Sequence, residues 1–134
     1  MPEEREGEKA QPDAEIHWEG DSLEVLRSFP DSARQNIGAD LRRLQQGKQP
    51  LDYRPLTTAG AGVFELRDQD QSSWYRAVYL SRVQNVIHVL HCFEKKTRET
   101  PQKEIDLARQ RLKAVRARLG AKRREEKHAR TRRQ

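Results

Sequence analysis

Gly62-Val63-Phe64-Glu65-Leu66-Arg67, then Trp74-Tyr75-Arg76-Ala77-Val78-Tyr79-Leu80, then Val86-Ile87-His88-Val89-Leu90-His91-Cys92-Phe93 follow one another within 32 residues. The last two runs are rich in Val, Ile, Tyr and Trp, which suit half-buried strands. The links, Asp68–Ser73 and Ser81–Asn85, are polar and of hairpin length. Three such runs predict an antiparallel meander, and this decides the fold class.

Alternation along a strand then sorts the polar residues. Glu65 and Arg67 share one face of the first run, with Phe64 and Leu66 on the other. In the second, Arg76 alternates with Tyr75 and Ala77. In the third, His91, Phe93 and Lys95 share a face with Ile87 and Val89, opposite His88 and Glu94. Arg67, Arg76, Lys95 and Lys96 are therefore expected to emerge at neighbouring positions, with His91 beside them. A bulge would reverse the parity beyond it.

Upstream, Ile16–Trp18 fits a short strand. Asp21 or Ser22 fits an N-cap for a helix over Leu23–Phe29. Pro30 breaks the chain, and Asp31 or Ser32 restarts it. Ala33, Ile37, Leu41 and Leu44 form one helical stripe that Gly47 ends, completing an αα-hairpin. Gln49–Gly62, with two prolines and two glycines, reads as a loop.

Downstream, Thr100 and Pro101 fit an N-cap and first helical residue. Ile105, Ala108, Leu112, Val115 and Leu119 form an apolar seam on a charged helix, which Gly120 is expected to end. The organisation is a disordered acidic tail over 1–14, one domain over 15–119 and a basic tail over 120–134. The order β-α-α-β-β-β-α makes an α+β fold: a small antiparallel sheet with an N-terminal αα-hairpin and a C-terminal helix.

Charged residues make up 36% of the chain against 34% hydrophobic, with a net charge of +6 and a pI near 9.8. The basic balance points to polyanionic partners and says nothing about fold. One cysteine, Cys92, excludes an internal disulfide; set in an apolar run, it reads as a small buried hydrophobe. No apolar run approaches the ~18 residues of a membrane span. Met1–Ala14 lacks the apolar core of a signal peptide, so the expected compartment is the cytoplasm. The sequence has no Gly-rich phosphate loop, no paired acidic residues at metal spacing and no G-x-S-x-G motif.

A cationic patch on a sheet suits a phosphodiester, because guanidinium groups bind phosphate oxygens bidentately and a lysine adds a point charge. RNA carries its own nucleophile, the 2′-hydroxyl. The protein need only align it, take its proton, neutralise the phosphorane and protonate the leaving 5′-oxygen. A lysine or histidine crowded by cations can serve as base. On residue chemistry alone the chain is a basic α+β domain that binds a polyanion.

The pieces also resemble a known family. Pro55-Leu56, Gly62–Arg67 and Trp74–Tyr79 are similar to the strands of toxins of the RelE/ParE superfamily. Val89-Leu90-His91-Cys92-Phe93-Glu94-Lys95-Lys96-Thr97, followed by Thr100-Pro101, Glu104-Ile105 and Ala108-Arg109, resembles the phage-derived HigB-type branch. The likeness spans about residues 15–118. It implies a RelE-like fold and the toxin of a type II toxin–antitoxin system, a ribosome-dependent endoribonuclease that cuts mRNA without metal or cofactor. Its implied partners are the ribosome, mRNA and a cognate antitoxin with a helix-turn-helix DNA-binding domain. The resemblance carries Arg67 and Arg76 over as phosphate binders. Lys95 and Lys96 stand at the strand end where relatives place a catalytic Arg, Lys or His, and His91 is included by location. RelE has a lysine where this chain has Glu65. It also has a tyrosine in the C-terminal helix, for which the only aromatic-like candidate here is His128. Within the same fold, ParE-type relatives bind DNA gyrase. A third reading is a non-catalytic RNA- or ribosome-binding module. The Lys95-Lys96 pair beside Arg76 favours the nuclease.

Overall fold

The computed structural model describes residues 12–132. The tail expected over 1–14 therefore lies outside the described residues up to residue 11. By Ala14 the chain is already packed: Ala14 is buried and its N–H donates to Gln45 O at 2.9 Å.

The elements are β1 (Glu15–Trp18), α1 (Ser22–Arg27), α2 (Asp31–Gln45), β2 (Tyr53–Pro55), β3 (Val63–Gln69), β4 (Trp74–Val83), β5 (Val86–Lys95) and α3 (Gln102–Arg132). The sheet order is β1-β5-β4-β3-β2. β1 runs parallel to β5, and the other pairs are antiparallel. The fold is α+β, as the strand runs and helical stripes predict.

Each face of the sheet carries its own core. On one face Leu26 and Phe29, from α1 and the turn after it, and Ala33, Ile37 and Leu41 of α2 pack on Leu66, Tyr75, Ala77, Tyr79, Ile87 and Val89. On the other, Ala108, Leu112 and Val115 of α3 pack on Val63, Val78, Leu80, Leu90 and Phe93. Every residue of the expected α3 seam is in this second core or packed against it. Cys92 is buried in the first core, and burial pushes its thiol pKa up to about 12.

Four expectations are corrected. Tyr53–Pro55, read as loop, is an edge strand paired with β3; Pro55 is tolerated because an edge strand need not donate from every residue. β3 and β4 run further than their apolar cores, and the second link shrinks to Gln84-Asn85, both at positive φ, which suits a tight hairpin turn. β5 carries a bulge: Val78 faces His91 while Tyr79 faces Val89. Leu90 is the extra residue, so His91, Phe93 and Lys95 lie opposite Ile87 and Val89, not beside them. Finally, α3 passes through Gly120 to Arg132. Glycine weakens a helix interior by ~1 kcal/mol but does not by itself stop it. Beyond the apolar seam, exposed straight-chain residues sustain the helix.

Candidate functional site

β3 and β4 place their side chains in successive rows across the sheet. Arg54 pairs with Glu65 across β2 and β3. Arg67 pairs with Arg76 across β3 and β4. Trp74 pairs with Lys95 across β4 and β5. Beyond Val63 and Val78 this face is no longer roofed by α3, and it turns from apolar to charged. An open cleft of about 570 Å³ forms there, walled by the Leu56–Thr58 turn, the 98–100 loop and Ile105 at the start of α3.

At its floor lie Glu65, Arg76 and Lys95, all buried. Arg76 Nε stands 3.5 Å from Glu65 Oε1. That is close enough to attract, yet neither atom finds a hydrogen-bond partner among the described residues. Arg76 Nη1 donates to its neighbour's carbonyl, Tyr75 O, at 3.0 Å. Lys95 Nζ donates to Arg98 O at 2.7 Å and Thr100 Oγ1 at 3.0 Å. Lys95 thus ties the 98–100 loop to the strand end, and the Thr100 hydroxyl expected to cap α3 is engaged there. Arg67 is partly exposed and pairs through Nε with Asp52 at 3.1 Å. Arg54, Arg98, Trp74, Asp68 and Glu99 also line the cleft. Five cations face four carboxylates, so affinity for a phosphate here depends on placement rather than on net charge.

The floor perturbs its own ionisation. Burial raises the Glu65 pKa, against the pull of Arg76, Lys95 and Arg67. Burial also lowers Arg76, with Glu65 opposing and Arg67 assisting. Lys95 is lowered by burial and then by the neighbouring charge of Arg76. A carboxyl pushed up and a lysine pushed down thus stand in one cleft, their pKa values brought closer together than in water.

The structure brings Arg67, Arg76 and Lys95 together but not the other two expected residues. Lys96 is exposed on the opposite face, where its ammonium donates to Glu94 at 2.9 Å and to Ser73. Hydrogen bonding to Glu94 raises its pKa. His91 is buried under α3, with Nε2 2.7 Å from Glu104 and Nδ1 3.4 Å from Arg111. It braces the helix and does not line the cleft. His128 lies on the exposed distal half of α3. Arg76 and Lys95, expected to emerge from the sheet, are instead buried at the cleft floor, each at most 7% accessible. Among the described residues no three His, Cys, Asp or Glu side chains converge as metal ligands, and no helix is long and apolar enough to cross a membrane.

Sequence reasoning missed Arg54 and Trp74. Trp74 shares strand parity with Arg76, a signal that was available. Arg54 was hidden in a three-residue strand ending in proline.

Arginines, a lysine and one buried carboxyl thus converge on an open sheet face of a three-layer α+β domain, an arrangement with the chemistry to hold an anion. The chain belongs to the phage derived protein Gp49-like (DUF891) family, whose model matches residues 24–113. That family is related to RelE/HigB-type toxins. No curated protein matches the chain.

Proposed function

We propose that this protein is a HigB-type toxin, a metal-independent endoribonuclease that cleaves mRNA on the ribosome and is held inactive by a cognate antitoxin. The observation that carries the reading is the convergence of Arg67, Arg76, Lys95 and Glu65 in one cleft with the half-buried Trp74 indole beside them. Cations and a proton acceptor suit the phosphodiester, and an indole in the same cleft suits an unpaired base.

In this reading Arg67 and Arg54 hold phosphate oxygens at the mouth. The Glu65 carboxylate takes the 2′-hydroxyl proton as the 2′-oxygen attacks phosphorus. Arg76 neutralises the crowded phosphorane, the largest electrostatic contribution available in the site. Lys95 has three protons and uses two on Arg98 and Thr100, leaving the third for the departing 5′-oxygen. The products are a 2′,3′-cyclic phosphate and a 5′-hydroxyl. Glu65 stands where RelE has a lysine, so the base here is a carboxylate raised by burial.

Expression without an antitoxin is expected to arrest growth with new mRNA ends inside translated regions, mapped by sequencing transcript 5′ ends. Intact messages with collapsed DNA supercoiling would instead establish the gyrase-binding reading.

A further inference from the structure

Positions 109, 113, 116, 120, 123, 127 and 130 of α3 are separated alternately by four and three residues. They carry Arg, Lys, Arg, Gly, Arg, Lys and Arg. That spacing keeps them on one flank of the helix, and all six cations are exposed. No carboxylate interrupts the row. The ion pairs that α3 makes among the described residues, His91–Glu104, Arg111–Asp21 and Arg118–Glu19, use residues off this row that face β1, β5 and the start of α1. One flank of α3 is therefore committed to holding the domain together, while the other is unneutralised.

The free flank borders the cleft. Ile105, one turn before Arg109, lines the cleft wall. Arg116 Nη2 donates to Ala61 O at 2.6 Å, in the same β2–β3 loop that presents Thr57 and Thr58 to the cleft. From Arg109 to Arg130 the row extends about 32 Å, beginning on the domain and ending on the projecting half of the helix.

We infer that this row is a track for single-stranded RNA, along which the strand whose phosphodiester occupies the cleft continues over α3. The track rests on the reading of the cleft as an RNA site. The occupant is single-stranded because the track is continuous with a cleft whose Trp74 indole suits an unpaired base. Exposed arginines and lysines at regular intervals bind a phosphate backbone without reading sequence.

The test uses the full-length protein and fully 2′-O-methylated RNA, which cannot be cleaved, so binding is read independently of catalysis. Probes of about 4 and about 16 nucleotides bracket the span of such sites. The combined variant R123Q/K127Q/R130Q should weaken the long probe at least about tenfold at low salt. It should also lower the slope of log K against log salt by about 2, because three phosphate contacts are lost at ~0.7 each. The short probe should be unchanged. The variant K103Q/K122Q removes charge off the row and should leave the slope near wild type. Equal losses in the two variants, or equal affinity for long and short probes, would overturn the track. Tighter binding of duplex RNA with the same dependence on the row would overturn its single-strand character. Length-dependent binding without any cleavage of mRNA on programmed ribosomes would instead sink the nuclease reading and leave the track standing.

Discussion

Arg67 and Arg76 lie directly across from each other on β3 and β4, a placement that ordinarily destabilises a sheet. Asp52 relieves one guanidinium and Glu65 the other. The two should therefore respond differently to truncation. Arg67→Ala is expected to reduce single-turnover cleavage on programmed ribosomes about tenfold, ~1.4 kcal/mol of transition-state stabilisation, with little change in melting. Arg76→Ala should lose at least as much activity and also about 3 kcal/mol of stability, because it strands a buried carboxylate. Adding Glu65→Gln to Arg76→Ala should restore melting but not cleavage. Unchanged rates in both single variants would remove these arginines from the chemistry. The raised Glu65 pKa has its own signature. Between the ordinary 4.5 and the higher folded value, the native chain keeps a proton that the unfolded chain has released. Stability therefore falls as pH rises through that window and levels off above it. Glu65→Gln should match wild type near pH 4 and exceed it at neutral pH in denaturant titrations. A constant difference across pH would show that Glu65 ionises normally.

At the scale of elements, the distal half of α3 holds together without a core. Gly120 sits in its middle, at a φ that any residue adopts. A methyl group there would meet only the Arg124 guanidinium, at an ordinary 3.5 Å. Gly120→Ala should raise helicity at 222 nm and stabilise this half by ~1 kcal/mol, whereas a loss of helicity would argue against a continuous α3. Periodicity made the long elements legible. Ala33, Ile37 and Leu41 found one core, and Ala108, Leu112 and Val115 found the other, because burial selects residue type at every turn. What stayed illegible was set by interactions that leave no pattern in composition. A bulge at Leu90 is decided by how β4 and β5 accommodate one another, so it moved His91 off the face that parity gave it. β2 has only three residues, too few for any period, and it took Arg54 out of view. The Lys95–Lys96 pair looked like one feature, yet strand alternation sends the two to opposite faces, Lys95 into the cleft and Lys96 to Glu94.

Over the whole molecule the positive charge is concentrated in one element. α3 contains twelve Lys and Arg against four Asp and Glu, leaving fifteen against seventeen for the rest of the chain. The sheet and αα-hairpin therefore belong to a slightly acidic part, and the basicity of the protein is that of one helix. Removing 121–134 should leave thermal melting nearly unchanged, since Leu119 is the last residue packed on the sheet. The same cut should weaken ribosome binding and flatten its salt dependence, measured by titration at several ionic strengths. A large drop in melting temperature would mean that the distal helix supports the fold. Such a separation gives the molecule a permanent electrical axis, with its positive pole at the free end of α3. In the field of a polyanion the protein experiences a torque before it experiences contact, and it arrives helix first. The cleft lies at the root of that helix, so in the proposed reading capture by the pole and delivery to the floor are successive stages of one approach, whose rate should fall with added salt while the packed layers remain indifferent to it.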